Sequence, residues 1–445
     1  MQLREKGEST PLTTKEFQEI MSAMDIGCSK KVAVAVSGGS DSMALTLLLN
    51  QWCANQDIHL TALTVDHGLR ENSALEAQQV AKWLSVKNIS HNILEWQGIK
   101  PDTNIQDHAR KARYELMGNW CMDNNVDHLF LAHHMNDQAE TFLIRLLRGS
   151  GVDGLSAMEK STIFPFNKMS NKTLKILRPL LEVESGRLLE TIQAANQDHI
   201  EDPSNLDEKY TRIQIRSLLN ETEIEGLNAH KLSSTSTRMR RVRSLLEEMT
   251  SKAESDFVSY NSFGYASIVK NNISELHEEI GLRLLSKVIK TVGGNTYAPR
   301  HKSLEKLFEN LKETKFPGQS LAGVLVFTLT GHEIVITRET KNIDEHVNVT
   351  EVKQNLWDNR FEINSIDVTG VIEPLNSKLL KSLSLEMPDF KLKLADVFSN
   401  HLIRDRVLPS LPCIVKSTGE ILLPEFLGNK IGSSETKTFS AIFHH

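Results

Sequence analysis

Cysteine is scarce. Cys28, Cys53, Cys121 and Cys413 are the only four in 445 residues, none of them pairs as C-x-x-C, and no histidines cluster at zinc-ligand spacing. These absences exclude a disulfide scaffold and a structural zinc. No apolar run reaches the roughly 18 residues needed to cross a bilayer, and the opening MQLREKGESTPLTTKEF lacks the apolar centre of a signal peptide. The expectation is a protein of the reducing cytoplasm with no membrane partner. A basic excess is missing too: 51 Lys plus Arg face 57 Asp plus Glu, a net charge of −6, which taken alone argues against a nucleic-acid partner. No G-x-x-x-x-G-K-[ST] occurs, so a P-loop kinase or GTPase is excluded. What remains, 40% hydrophobic and 24% charged, is the composition of a folded chain, long enough for two or three domains at about 150 residues each.

The first half alternates β-rich runs with helical stretches. Strands are expected at 31–36, 60–65, 90–96 and 128–132, and helices at 42–54, 73–88 and 137–148. Thr103 and Gln106 fit a capping box that opens a further helix, with Ile105, Ala109, Ala112, Leu116 and Trp120 as its apolar stripe. The helix at 137–148 presents Ala139, Phe142, Leu143, Leu146 and Leu147 on one face. Such alternation predicts an α/β fold, a doubly wound parallel sheet covered on both faces. Beyond 154 the pattern changes: STIFPFNKMSNKTLK is expected as a loop or insertion, and helices at 183–197, 228–255 and 273–292. Residues 320–338 read as a hairpin turning at Thr330-Gly331, and the charged span 340–360 as a linker. Three parts are expected: a catalytic domain over 1–222, a mainly helical middle domain with a hairpin over 223–345, and a small α+β domain over 346–445.

The sharpest local signal is Ser37-Gly38-Gly39-Ser40-Asp41-Ser42 between a buried strand and a helix. In a doubly wound sheet a ligand binds beyond the carboxyl end of a strand. Two glycines allow a tight turn and close approach, while successive N–H groups, a helix N-terminus and three hydroxyls offer donors to phosphate. This hexapeptide resembles the pyrophosphate-binding loop of the N-type ATP pyrophosphatases, which cleave ATP between the α and β phosphates and adenylate a substrate oxygen. That resemblance implies ATP, with the loop holding the leaving pyrophosphate and Asp41 holding magnesium.

Further motifs narrow the substrate. Val65-Asp66-His67-Gly68-Leu69-Arg70 closes the second strand, and Ala109-Arg110-Lys111-Ala112-Arg113-Tyr114 lies on the capped helix. Ala132-His133-His134-Met135-Asn136-Asp137-Gln138-Ala139-Glu140-Thr141 follows the fourth strand. Gly151-Val152-Asp153-Gly154-Leu155, Arg178-Pro179-Leu180 and Glu201-Asp202-Pro203-Ser204-Asn205 complete the series. In that order they resemble the bacterial tRNA(Ile)-lysidine synthetase family, strongly over 30–220. The match is looser at Tyr297-Ala298-Pro299-Arg300 and at Ile403-Arg404-Asp405-Arg406. The resemblance implies adenylation of the wobble cytidine of the CAU-anticodon isoleucine tRNA, then displacement of AMP by the ε-amine of free lysine.

Each step sets a physical requirement. Adenylation develops charge at phosphate, which Arg110 and Arg113, at i and i+3 on one helix, are spaced to meet. Lysine must lose a proton from an ammonium of pKa about 10.4, and Asp137 with Glu140 is placed to bind it. His133 or His134 is the candidate proton acceptor, and the sequence does not separate them. Arg212 and Arg216 match the family's R-N-x-I-R stretch, with Ile213 at the Asn position, and are candidates for substrate contact. Residues 209–243 carry eight basic side chains, including Arg238, Arg240 and Arg241, against three acidic ones. That is a net of +5 that leaves −11 over the rest. This band, with Arg404 and Arg406 in the tail, is the expected tRNA surface. A tRNA thiolase is disfavoured because no C-x-x-C exists, and a silent RNA-binding protein because the hexapeptide is intact. A homodimer is left open.

Overall fold

The computed structural model describes residues 9–69, 72–98, 100, 103–164, 174–201, 211–221, 224, 227–313, 315–330, 332–343, 346–349, 352–366, 369–431 and 438–445. It divides into two compact units, Met1–Ser244 and Leu245–His445.

The first unit is built on six strands: β1 (Lys31–Ala35), β2 (His59–Asp66), β3 (Ser90–Glu95), β4 (His128–Phe130), β5 (Ser161–Phe164) and β6 (Leu174–Leu177). Their order is β3-β2-β1-β4-β6-β5, all parallel except β5, which runs antiparallel to β6 along one edge. Helices α1 (Thr14–Ser22), α2 (Ser40–Asn55), α3 (Ser73–Val86), α4 (Ile105–Asp123), α5 (Met135–Leu147), α6 (Val152–Leu155), α7 (Ser185–Ala194) and α8 (Thr211–Glu221) accompany it, and α9 (Ala229–Phe257) belongs to it as far as Ser244. The near-continuous apolar run of β1 follows from burial on both faces. Val32 and Val34 join a core with Leu45 and Leu49 of α2 and Val80 and Leu84 of α3. Ala33 faces the other way, into a core with Leu63, Tyr114, Met117 and Cys121. Each fully buried Leu or Val contributes about 1.5–3 kcal/mol by leaving water. Helix α1 is opened by a capping box: Thr13 Oγ1 accepts from the Glu16 N–H and Glu16 accepts from the Thr13 N–H. Arg187 of α7 donates to both Glu16 oxygens at 2.9 Å.

Several local expectations change. Helix α4 starts at Ile105 behind Asn104, whose φ of +50° is left-handed and which makes no side-chain cap, so Thr103 does not open it. Ala112 of the expected stripe is buried, together with Tyr114, Met117 and Cys121, while Ile105 is exposed and Leu116 and Trp120 are half-buried. On α5 the apolar face ends at Leu143, since Leu146 and Leu147 are 46% and 73% exposed. The segment expected as a loop after 160 carries β5 and the start of β6. Leu174, Ile176 and Leu177 are buried because β6 extends the parallel sheet beside β4.

In the second unit β7 (Val258–Asn261), β8 (Tyr265–Val269), β9 (Gln319–Leu321), β10 (Val324–Leu329) and β11 (Glu333–Arg338) form an antiparallel sheet in the order β7-β8-β11-β10-β9. The expected hairpin is β10–β11, although Gly331 itself lies outside the described residues. Alongside run α10 (Lys270–Glu275), α11 (Glu278–Val292) and α12 (His301–Lys312). The helix expected over 273–292 is therefore two helices, interrupted where His277 accepts from the Glu279 N–H as a new N-cap. A second sheet orders β12 (Val347–Val349), β15 (Gly370–Pro374), β16 (Pro412–Val415), β17 (Ile421–Pro424) and β18 (Thr438–Phe439). A third joins β13 (Val352–Trp357), β14 (Phe361–Ile366) and β19 (Ala441–Phe443), and α13 (Ser377–Glu386), α14 (Phe390–Val397), α15 (His401–Val407) and α16 (Glu425–Ile431) complete the unit.

One apolar core runs through this unit from Ala253 to Phe443, on both sides of the seam expected near 345. The span expected as a linker lies at its centre: Trp357 and Arg360 are fully buried. Asp358 accepts from Arg338 at 2.8 and 3.0 Å and from Arg360 at 2.6 Å, so the charges that suggested solvent are paired inside. Cys53, Cys121 and Cys413 are buried and Cys28 is exposed. Among the described residues no helix is long and apolar enough to cross a membrane.

Candidate active site

The strand order reverses at β1, which has β2 on one side and β4 on the other, and a crevice opens at such a switch point beyond the strands' carboxyl ends. The hexapeptide enters it directly from β1. Gly38 has φ +88°, and a Cβ there would lie 2.6 Å from Ile200 Cδ1 and 2.9 Å from Val80 Cγ2. Glycine is required twice over, for the left-handed backbone and for space. The Ile200 N–H donates to the Gly38 carbonyl at 2.9 Å, tying the turn to the 196–201 segment. Gly39 is the N-cap of α2 and makes no side-chain cap, so the helix's first N–H groups face the crevice without one. Ser42 is buried and braces the loop: its Oγ accepts from the Ser37 N–H at 3.2 Å and donates to the Gly39 carbonyl at 2.9 Å. Asp41 keeps 35% of its side chain exposed.

The second wall comes from the chain after β4. His134 Nε2 lies 3.4 Å from Asp41 Oδ2 and 3.6 Å from Asp137 Oδ2, so one imidazole bridges the two loops that leave β1 and β4. The His134 backbone N–H also donates to Asp137 Oδ2 at 3.0 Å. Burial opposes a charged ring at His134, but the carboxylates of Asp41, Asp137 and Glu140 outweigh it and raise the pKa above the usual histidine value. His133 goes the other way. Burial, joined by Arg178, Arg212 and Arg110, depresses it against the pull of Asp137 and keeps the ring neutral. The structure thus separates two histidines that are equivalent in sequence. Asp137 is held low despite burial by His134 and Arg212.

Glu140, 1% exposed, accepts from Arg212 Nε at 2.6 Å and from Arg216 Nε at 2.7 Å, and Arg212 Nη2 reaches Asp137 at 2.9 Å. The residues expected as an acid pair and those expected as substrate contacts therefore meet in one cluster. Arg113 lines the crevice, and burial lowers its pKa. Arg110 is exposed, with its guanidinium 5.2 Å from the Tyr114 ring. A cavity of about 460 Å³ is bounded by Ser37, Gly39, Asp41, Ser42, His67, Arg113 and His133. Thr64 of β2 and Glu76 of α3 also line it and carried no sequence signal. Arg178 of the Arg178-Pro179-Leu180 motif is buried and donates to the Glu159 carbonyl and Thr162. Among the described residues no group of three His, Cys, Asp or Glu could hold a metal. Asp41 alone suits a cation that takes its remaining ligands from phosphates and water, as magnesium does.

The basic band divides by orientation. Arg238 and Arg241 of α9 are exposed. Arg240 Nη2 donates to the Met158 carbonyl at 3.0 Å and Arg243 pairs with Glu159 at 2.7 Å, so these two pack the first unit together. In the second unit Arg404 pairs with Asp405, and the Arg406 guanidinium sits 4.3 Å from the Phe327 ring centre. Arg70, Asp202–Asn205 and Lys209 lie outside the described residues.

Comparison with known proteins places these features in a family. Residues 11–223 match the family model described as a PP-loop domain. A "tRNA(Ile)-lysidine synthase" of Wolbachia pipientis wMel is 34% identical over 92% of this chain and 92% of its own length. One from a Brugia malayi Wolbachia is 35% identical over 90% of this chain and 96% of its own. A solved U34-tRNA thiolase from Methanococcus maripaludis aligns at 18% identity and TM-score 0.42, covering 51% of this chain and 78% of that one. With a third of its residues shared with such relatives over nearly its whole length, and a phosphate-binding loop at the switch point of a parallel sheet, the chain belongs to the tRNA(Ile)-lysidine synthase family.

Proposed function

We propose that this chain forms lysidine on tRNA(Ile) at the expense of ATP. The substrate is the isoleucine tRNA with anticodon CAU, in the cytoplasm. The base oxygen at carbon 2 of the wobble cytidine attacks the α-phosphate of ATP and pyrophosphate leaves. The ε-amine of free lysine then forms the C–N bond at carbon 2, and the C–O bond breaks to release AMP.

The observation that carries this reading is the His134 bridge, which joins Asp41 of the phosphate loop to Asp137 of the acid pair within 3.6 Å on either side. A site for a nucleotide and a site for an ammonium then share one crevice. In the proposed roles, the backbone from Ser37 to Ser42 with Ser40 receives the leaving pyrophosphate, and Arg113, with Arg110 nearer solvent, faces the α-phosphate. Asp41 would hold magnesium, which when bound neutralises phosphate charge. Asp137 and Glu140 receive the lysine ammonium. His133 and His134 are the candidate proton acceptors: burial and neighbouring cations keep the His133 ring neutral but weakly basic, and His134 is held by two carboxylates. Arg238 and Arg241 in the first unit and Arg404 and Arg406 in the second meet tRNA phosphates.

The test is ATP-dependent incorporation of labelled lysine into CAU-anticodon isoleucine tRNA, abolished by Asp41→Ala. Release of AMP without lysine transfer, or sulfur transfer in its place, refutes it.

A further inference from the structure

The acid pair that this reading assigns to lysine is fully engaged. Arg212 takes Glu140 Oε2 and Asp137 Oδ1, Arg216 takes Glu140 Oε1, and the His134 N–H takes Asp137 Oδ2, all between 2.6 and 3.0 Å. No carboxylate oxygen of the pair lacks a donor. Glu140 is 1% exposed, so it cannot lose a cation without gaining another: an uncompensated buried carboxylate is strongly unfavourable.

The two guanidiniums are less confined. Arg212 and Arg216 are 40% and 41% exposed and project from α8. Its contact with α5 rests on these ion pairs and a small apolar cluster of Phe142, Leu143, Ala157 and Ile215. Arg216 donates through Nε alone in the described contacts, which leaves its outer nitrogens for another acceptor. Both arginines lie within electrostatic reach of the cavity wall, Arg212 of Arg113 and Arg216 of Asp41.

Resting on the lysidine-forming reading above, we propose that Arg212 and Arg216 form a charge-exchange clamp: an incoming lysine ammonium replaces them on Glu140 and Asp137, and the released guanidiniums bind the phosphate of the adenylated base. The exchange puts one ammonium in place of two guanidiniums, so buried Glu140 keeps a cation when lysine is seated while the acid pair gives up one positive charge to the phosphate. Lysine occupancy and stabilisation of the departing AMP are thereby coupled, so the adenylate acquires its full complement of cations only when the amine that will consume it is seated. Lysine is recognised here by its terminal ammonium, as a substitute for an arginine the chain already supplies.

The test reads lysine KM and kcat separately. Arg216→Ala removes one competitor for Glu140 and one cation for phosphate. The expected result is a lysine KM lower by about tenfold, the size of one charge-assisted hydrogen bond, with kcat also reduced and tRNA KM unchanged. Arg216→Lys restores part of kcat. A lysine KM that is unchanged or raised overturns the clamp, and a raised tRNA KM assigns Arg216 to the RNA instead.

A second measurement avoids mutation. Hydrogen exchange over 211–221 in the wild-type enzyme, with tRNA and an α,β-methylene ATP analogue that prevents turnover, should speed up when lysine is added. Unchanged protection of α8 also overturns the clamp. Failure of the wild-type enzyme to incorporate lysine at all would overturn the functional reading, a result the exchange experiment does not depend on.

Discussion

Gly38→Ala tests whether the loop after β1 is set by backbone geometry or merely by composition. At φ +88° an alanine costs about 1–2 kcal/mol in left-handed strain. Its Cβ would stand 2.6 Å from Ile200 Cδ1, a side-chain tip that can rotate away, and 2.9 Å from Val80 Cγ2, which is fully buried and stiff at χ1. Overpacking of that kind adds about 1–3 kcal/mol. Together, about 2–5 kcal/mol must come out of the loop's native position, equivalent to a loss of ATP affinity from about 30-fold to over a thousandfold. Gly39 is the control: its φ is −70° and the nearest atom to an added Cβ is Ser37 Oγ at 3.8 Å, so Gly39→Ala fits the unliganded loop without strain. Calorimetric ATP titration and thermal unfolding of both variants separate the cases. Gly38→Ala binding ATP within twofold of wild type, at an unchanged melting temperature, refutes the geometric account. Equal damage from Gly39→Ala would instead show that close approach of phosphate governs both positions.

Asp358→Asn removes the carboxylate that buried Arg338 and Arg360 share, and should destabilise the second unit by about 3–5 kcal/mol. Calorimetry should show that as a melting transition lower by about 6–20 °C, with ATP binding by the first unit retained. A loss under about 1 kcal/mol contradicts the assignment of this cluster as a buried core element. Glu16 is held down to about 2 by hydrogen bonds from Thr13 and Arg187. Its contribution is complete above its ordinary 4.5 and is lost as pH falls toward 2, so Glu16→Gln should flatten that acid limb in melting-temperature scans. Arg238→Glu with Arg241→Glu should weaken tRNA binding and lower its salt slope while leaving stability intact. Arg240→Ala should cost stability first, visible in urea titration, because its guanidinium donates to the Met158 carbonyl.

Legibility in the sequence followed periodicity. Strands β1 to β4 and the helices between them were readable because burial on both faces of a parallel sheet enforces continuous apolar runs such as KVAVAV. The phosphate loop was readable because glycine at Gly38 answers a local backbone demand. What failed depends on contacts distant in sequence. The span 340–360 reads as a linker because charge usually means water, yet Arg338, 20 positions before Asp358, pairs with it inside the core. Strand β6 was missed because its burial comes from β4, across 46 residues. At the site, Asp137 and Glu140 were candidates from their i, i+3 spacing. Their engagement by Arg212 and Arg216, 72 to 76 positions away, left no local trace. Adjacent histidines could not be told apart, because what separates them is which carboxylates each faces.

The distribution of thiols gives the molecule a single point of chemical address. Burial pushes Cys53 and Cys121 up to about 12 and Cys413 higher still, so none offers a thiolate at neutral pH. Cys28 is exposed and precedes β1, at the amino ends of the strands, whereas the crevice opens at their carboxyl ends. The five residues of β1 put about 16 Å of strand between the two. A maleimide dye would therefore attach at one known place, behind the sheet, and an observer stationed there could follow tRNA arrival without standing in the doorway.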